Sequence, residues 1–429
     1  MEYRNISKPI IIVGAGIVGL ALAQSLKQEG IPFELYERDE TLDQRSPGWG
    51  ITINWALEAL ENCLPKELFA GIDARKLTLN RDAKVPAPTQ TLHYTTLHYA
   101  NNTGRFLFLD LETLKPRYTI PPSPRKRLNR SKFRALLATG LDIHWGKSLA
   151  SFAPDANGAG IVATFADGTA VHGAMLVAAD GGNSRTRTLL LGEEVGALHQ
   201  LPARFMGVTA TFSADQMKPL LAVDPLLFQG THPGTGYFLW FAVVSTPETN
   251  VSAATLPVYE VQVNLSWIFR GPGDEVPAES ERLARMKAMV RKGSGFHGVL
   301  RRMVLGIPEG TPVREIKLAD WPTVKWNGGG LVTLLGDAAH AMTMYRGEAS
   351  NHGFTDAKNL KEQLKLWYAG LKTQGQALDD YQNEMYLRTR PAVLLSRQAC
   401  LDAHDLANLG PDSPLVSRRA RVLDRALKA

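Results

Sequence analysis

Asp337 ends an apolar run in LLGDAAHAMTMYRGEASNHGFTDA, residues 334–357. An unpartnered carboxylate in such a setting is strongly unfavourable or takes up a proton. Open α/β sheets bind ligands in the crevice at the C-terminal ends of their strands, so Asp337 is a ligand-facing candidate. A second acid, Glu37, ends the strand-like PFELYERD, 21 residues beyond Gly16. Ahead of it, Gly14, Gly16 and Gly19 follow the β-branched run Ile10 to Val13 and open a stretch whose Leu and Ala recur at helical spacing. Strand, tight turn, helix and distal acid together make a dinucleotide-binding fingerprint. Gly14 permits the turn, Gly16 lets a pyrophosphate approach the backbone, Gly19 lets the helix pack on its strand, and Glu37 reaches an adenosine ribose hydroxyl. The helix N-terminus supplies free amides and the positive end of its dipole. An acid rather than an Arg at 37 selects a nucleotide with a free 2′-hydroxyl, FAD or NAD and not NADP.

Two shorter strings add polar residues. AADGGNSRTR (178–187) places a second Asp-Gly, Asp180 and Gly181, behind an apolar strand, and NRSKF (129–133) opens a helix with Arg130, Lys132 and Arg134 around its start. Arg130 is the phosphate or ribityl candidate, whereas a solvated helix end competes as the account of Lys132 and Arg134. His340 reads as a residue hydrogen-bonded at a turn or packed beneath a ligand rather than as a base. His93 and His98 lack metal spacing and a nearby Cys or carboxylate cluster, so no metal is predicted. Trp240, Trp267, Trp321 and Trp326 read as core or pocket wall.

The elements that must position these groups follow from length and pattern. A chain of 429 residues can bury one large core or two, in two intimately packed domains. Cys63 and Cys400 match no zinc or redox spacing, which fits a reducing, cytoplasmic setting without disulfides. A net charge of +6 is modest for this size; it suits acidic cosubstrates and does not imply nucleic acid. The apolar start imitates a secretory leader, but its glycine spacing argues for the nucleotide turn, and no stretch calls for a membrane anchor. Residues 52–62 look like an amphipathic helix, 84–126 a Pro-rich, strand-poor insertion, and 141–145 a strand. A hairpin is expected at Asp167-Gly168 and a buried strand at 174–179. Alternating runs between 200 and 325 suggest an antiparallel sheet, broken by a helix near 280–291. GGGLVTLLGD then returns to a buried parallel-type strand, and 354–367 and 378–406 read as closing helices. The fold class is thus α/β, a Rossmann-like nucleotide-binding domain assembled from 1–83, 127–198 and 326–370. The insertion 84–126 borders the pocket, 199–325 forms a substrate sheet domain, and 371–429 supplies C-terminal helices.

GAGIVGLALAQSLKQEGIPFELYERD, AADGGNSRTR and LLGDAAHAMTMYRGEASNHGFTDA together resemble the three fingerprints of single-component FAD-dependent monooxygenases of the para-hydroxybenzoate hydroxylase type, including the salicylate hydroxylase-like enzymes of fungal pathways. The resemblance implies a GR2-type FAD-binding domain with an inserted substrate sheet. It implies tightly bound FAD, with Asp337 on the ribityl chain and the backbone amides of Ala349, Ser350 and Asn351 on the isoalloxazine ring. Glu37 would take the adenosine ribose, Gly50 in GWGI would lie beside the cofactor, Arg130 would contact the flavin, and Asp180 would serve FAD and NADPH. Arg187 fits that motif too, or is a structural salt-bridge partner of Asp180. Loosely similar positions make Arg204 and Tyr237 catalytic candidates that ionise and orient a phenol; the alternative sets Arg204 at a solvent-facing strand end and Tyr237 in sheet packing. Met344 and Ala349 replace the Pro and Gly of many relatives, and Ala349 must then have a negative φ or be strained.

The implied activity is insertion of one oxygen atom from dioxygen into an electron-rich aromatic or alkene small molecule (hydroxylation or epoxidation), an aromatic or prenylated substrate, through a flavin hydroperoxide and with NADPH as a transient reductant, in secondary metabolism. Other chemistry on the same fold (oxidation, rearrangement or non-redox cyclisation) stays open, as does a catalytically idle binding protein; no WxWxIP string marks a halogenase. Monomer and homodimer are both compatible with the sequence.

Overall fold

A computed structural model describes residues 8–44, 49–72, 106–120, 125–156, 158, 160–247, 258–291 and 293–417. His93 and His98 lie outside the described residues. Four parallel strands form the first sheet, in the order Val332–Leu334, Met175–Ala178, Ile10–Val13 and Phe33–Tyr36. Ile10–Val13 is buried along its whole length, as a strand covered on both faces must be. Helix Ile17–Gln28 and the long helix Ala349–Tyr368 pack together against this layer, and Gln374–Asp402 closes over it. Three distant stretches therefore meet at one sheet edge, as the glycine, Asp-Gly and Gly-Asp strings require.

The second sheet has seven strands in the order Arg314–Glu315, Ala203–Phe212, Tyr259–Ile268, Phe238–Ser245, Leu227–Thr231, Phe106–Asp110 and Pro116–Ile120. All its pairs are antiparallel except Leu227–Thr231 with Phe106–Asp110. One face, carrying Met206, Val208, Leu239, Phe241, Val263 and Leu265, packs into an apolar core with the helices Ala214–Leu221, Arg282–Met289 and Gly298–Leu305. The other face carries Phe205, Gly207, Phe238, Trp240, Gln262 and Asn264, and register places Asn264 opposite both Gly207 and Trp240.

Several expectations hold. Asp167-Gly168 turns a hairpin between Ile161–Phe165 and Ala170–Gly173, and the buried strand behind it is Met175–Ala178. Others are corrected. The described part of 84–126 is not strand-poor: Phe106–Asp110 and Pro116–Ile120 complete the second sheet, and Pro116 stands first in an edge strand, where its missing N–H is tolerated. Residues 50–53 form a strand against Lys126–Asn129, and the helix expected at 52–62 starts only at Leu57. Asn351 Oδ1 explains the delay, because it accepts from the amides of Asn54 (2.9 Å) and Ala56 (3.4 Å) and fixes the turn between them. The strand expected at 141–145 reduces to a single bridge from Tyr36 to His144, with Gly140 and Gly146 at positive φ on either side ending the pairing. Cys63 and Cys400 are free and buried, in different cores.

The glycine turn can be tested on stability. A Cβ on Gly19 would stand 2.1 Å from the Gly14 carbonyl oxygen, whereas one on Gly16 meets nothing within 4 Å. Gly19→Ala should therefore lower unfolding free energy by about 1–3 kcal/mol, and Gly16→Ala by no more than about 0.5 kcal/mol, in urea titrations of the cofactor-free protein.

Candidate active site

A cavity of about 540 Å³ opens between the parallel sheet and the polar-aromatic face of the second sheet. That volume suits a small-molecule site. Gly14, Gly16, Glu37, Gly50, Arg130, Asp180, Asp337, Ala349 and Ser350 all reach it, so most of the residues expected to hold a cofactor are brought together.

At the nucleotide end, Gly14 has φ +108°, and its missing Cβ leaves room for the Ala179 carbonyl. Gly16 opens onto the cavity with no atom in the way, a cradle that a Cβ would begin to fill. Glu37 lies behind this turn, accepting from the Ala15 amide at 2.7 Å and from the Asp39 amide at 3.1 Å. Arg134 locks the arrangement. It donates to the Ala15 carbonyl (2.9 Å), the Leu42 carbonyl (3.1 Å) and the Asp39 carboxylate (3.2 Å), and lies 3.5 Å from Glu37. The solvated reading of Arg134 is thus wrong, since its apolar neighbours Phe133 and Leu137 pull the helix face inward and the guanidinium with it. Lys132 is half-buried as well, and burial lowers its pKa against the opposing influence of Glu260.

In the middle of the cavity Asp337 presents a carboxylate with no hydrogen-bond or ion-pair partner among the described residues. Its side chain is open to the cavity, and the protein crowded around it raises its pKa, opposed by His340 and Arg130. The helix carrying Ala349 and Ser350 begins at Ala349, five residues earlier than the expected 354, and its cap, Glu348, makes no side-chain capping bond. The amides of Ala349, Ser350 and Asn351 therefore point their hydrogens at no acceptor among the described residues, as first-turn amides do. Ala349 is helical with negative φ, so its lack of glycine freedom carries no strain. The Asn351 side chain, however, is wholly buried and does not reach the cavity: besides accepting at Oδ1, it donates to the carbonyls of Thr52 and Gly347.

Asp180 reaches the cavity, but its carboxylate is occupied by the Ser184 hydroxyl (2.5 Å) and by the amide and hydroxyl of Thr186. Arg187 forms no ion pair with it. Its guanidinium donates instead to the carbonyls of Gly182, Gly196 and Ala338 and lies over the Trp321 ring, 5.0 Å from the centroid. His340 is fully buried and bound to Asp356, Nε2 to Oδ2 at 2.5 Å, and Asp356 is also gripped by Arg388 at 2.6 Å. Burial alone would raise the Asp356 pKa; His340 and Arg388 outweigh it and hold the carboxyl well below the usual range. Burial and Arg388 keep the neighbouring His352 pKa far down. This network supports the helix beneath the cavity.

Arg204 and Tyr237 do not reach the cavity. Arg204 lies over the Phe269 ring at 4.2 Å, and Tyr237 packs with the apolar core on the far face. Their chain neighbours Phe205 and Phe238 line the site instead, as the period of two along a strand demands. Sequence reasoning missed Trp49, Arg127, Gln262, Asn264 and Tyr345. The signal for two of them was present: in YEVQVNLSWIF, Gln262 and Asn264 are polar residues two apart in a strand whose remaining pattern is buried. No helix among the described residues is long and apolar enough to cross a membrane.

The FAD binding domain family matches residues 7–395. The FAD-dependent monooxygenase dbaB of Emericella nidulans is 42% identical, over all of this chain and 97% of its own length. The FAD-dependent monooxygenase phnB of Penicillium herquei is 31% identical, covering 95% of this chain and 94% of its own. Among solved structures, Klebsiella pneumoniae HpxO, complexed with FAD and uric acid, superposes with a TM-score of 0.70 at 17% identity, over 94% of this chain and 91% of that one, a likeness of fold.

Removing one partner of the Asp356 network should strand a buried charge. Arg388→Met is expected to cost about 3–5 kcal/mol at neutral pH in urea titrations. Asp356 is depressed in the folded state, so its contribution is complete above the unfolded value of about 3.9 and fades as pH falls below it. The gap between native and variant protein should accordingly narrow on acidification.

Proposed function

The chain belongs to the FAD binding domain family of FAD-dependent monooxygenases, and from that premise we propose that it inserts one oxygen atom of dioxygen into an electron-rich aromatic or alkene small molecule, with NADPH as reductant. The observation that carries this reading is one cavity that joins the glycine turn, the unpartnered carboxylate of Asp337 and a wall of aromatic side chains. FAD, bound there, supplies the redox chemistry and the activation of dioxygen. The residues present fit it: Gly16 leaves room for a pyrophosphate, Asp337 lacks the hydroxyl donors a ribityl chain provides, and Ala349, Ser350 and Asn351 offer amides to an electron-rich ring edge.

In this reading the chain's own work is to bind, orient and exclude water. Glu37 is held rigidly by Arg134 and the Ala15 amide, so the nucleoside end meets a fixed acceptor. Arg130 reaches the same cavity and counters the negative charge of Asp337. Trp49, Phe205, Phe238, Trp240, Met344 and Tyr345 surround the substrate side and keep it dry, which protects reactive oxygen species from water. Tyr345 itself is committed: its hydroxyl donates to Ser266 at 2.8 Å, and burial holds its pKa well above the ordinary value. NADPH has no second fingerprint in the sequence and is assigned transient binding.

Purified protein should be yellow, and NADPH should reduce it faster under anaerobic conditions when the correct phenol is present. Labelled dioxygen should then place one labelled atom in the product; product without label would assign the other chemistry. Asp337→Ala should weaken FAD retention about 10- to 100-fold, the loss of one charged hydrogen bond worth roughly 1.5–3 kcal/mol, measured by the flavin-to-protein absorbance ratio after dialysis.

A further inference from the structure

Arg127 is the unexplained charge of the cavity. It sits within the strand Lys126–Asn129, opposite Thr52, and is only 4% exposed. Its contacts are long and neutral: Nη1 to Thr52 Oγ1 at 3.2 Å and Nη2 to Gln262 Oε1 at 3.4 Å, while Nε has no acceptor. No carboxylate among the described residues pairs with it. Four other buried arginines behave differently, because Arg134, Arg187, Arg346 and Arg388 each donate to carboxylates or backbone carbonyls. Burial, with Arg125 nearby, lowers the Arg127 pKa to about 9, the direction expected of a cation lacking a counter-ion.

The surroundings show that this position is built. A Cβ on Gly50 would stand 2.5 Å from Arg127 Nη2 and 2.6 Å from Cζ, so the guanidinium occupies the space glycine leaves. Trp240 lies beside it, 5.9 Å from ring centroid to Cζ. Across the same face, Gly207 makes room for the Asn264 amide, whose Oδ1 finds no donor. An unpaired guanidinium and an unpaired amide oxygen therefore share a cavity wall with Phe238 and Trp240. A planar ring stacks on such a wall, a conjugated oxyanion satisfies the guanidinium with two charge-assisted bonds, and a ring hydroxyl satisfies the amide.

We propose that Arg127, seated on Gly50, anchors an oxyanion of an aromatic substrate, a carboxylate or an ionised phenol, with Asn264 reading a neighbouring hydroxyl. This rests on the monooxygenase reading, since it assigns the substrate class of the same cavity. FAD-loaded protein titrated by calorimetry with salicylate and salicylamide, then with para-nitrophenol and para-nitroanisole, tests it. The charged member of at least one pair should bind about tenfold or more tightly than its neutral partner; the first pair identifies a carboxylate and the second a phenolate. Arg127→Gln should abolish that preference at unchanged FAD content, Arg127→Lys should restore part of it, and Gly50→Ala, which keeps the charge but displaces it, should weaken it. Arg204→Gln, away from the cavity, should retain it. Failure of the native protein to hold FAD counts against the monooxygenase reading. In a fully loaded protein, absence of a charged preference in both pairs, or its survival in Arg127→Gln, overturns the Arg127 assignment.

Discussion

Charge enclosed by protein must find a partner, and the way this chain satisfies that constraint divides its interior into framework and site. Asp337 and Asp356 belong to one sequence string and lie on the short helix Asp337–His340 and the long helix Ala349–Tyr368. Asp356 is neutralised by His340 and Arg388 and accepts the Gly336 amide at 3.0 Å. It is spent on holding the turn that presents Asp337. The supporting carboxylate is taken up by three donors, whereas Asp337 faces the cavity with no partner among the described residues. Arg134 and Arg127 repeat the division among the cations: the first is consumed in bracing Glu37 and the glycine turn, the second is left on the substrate wall.

Backbone proximity does the rest of the positioning. The carbonyls of Gly14 and Ala179 come within distances that only glycines at 19 and 14 allow, which draws the first helix onto the sheet and brings the Asp-Gly turn against the nucleotide turn. The same device recurs on the substrate side, where Gly50 admits a guanidinium and Gly207 admits Trp49 and Asn264. Removal of a Cβ serves close backbone packing in one half of the cavity and side-chain seating in the other.

This difference explains what was legible in the sequence. The cofactor half is made of local strings in which backbone geometry imposes residue type, so Gly14, Gly16, Gly19 and Glu37 were read from spacing, and Asp337 from its place at the end of an apolar strand. The parallel sheet, the hairpin at Asp167 and the closing helices were readable for the same reason. Asp180 was read as a cofactor contact because its string matches, yet its carboxylate is taken up by Ser184 and Thr186; Asn351 was read through its backbone amide, which meets no acceptor among the described residues, while its side chain braces Asn54 and Ala56. A string can specify a position near a ligand without specifying which atoms meet it.

The half of the cavity built by the second sheet obeys a stricter condition. Its wall is assembled from strands far apart in the chain, and each strand contributes only alternate residues, so an error of one in register exchanges the cavity face for the core face. Arg204 and Tyr237 fell on the wrong side of that exchange, while Phe205 and Phe238, one place along, fell on the right one. What could have decided the face was the cross-strand partner: Gly207 opposite Asn264, and Asn264 opposite Trp240, make sense only if that face receives something planar and polar, because a purely apolar layer would leave the amide unsatisfied. The small residue and the buried amide are thus evidence for the cavity face that neither strand carries by itself, and they point to the wall on which Arg127 stands.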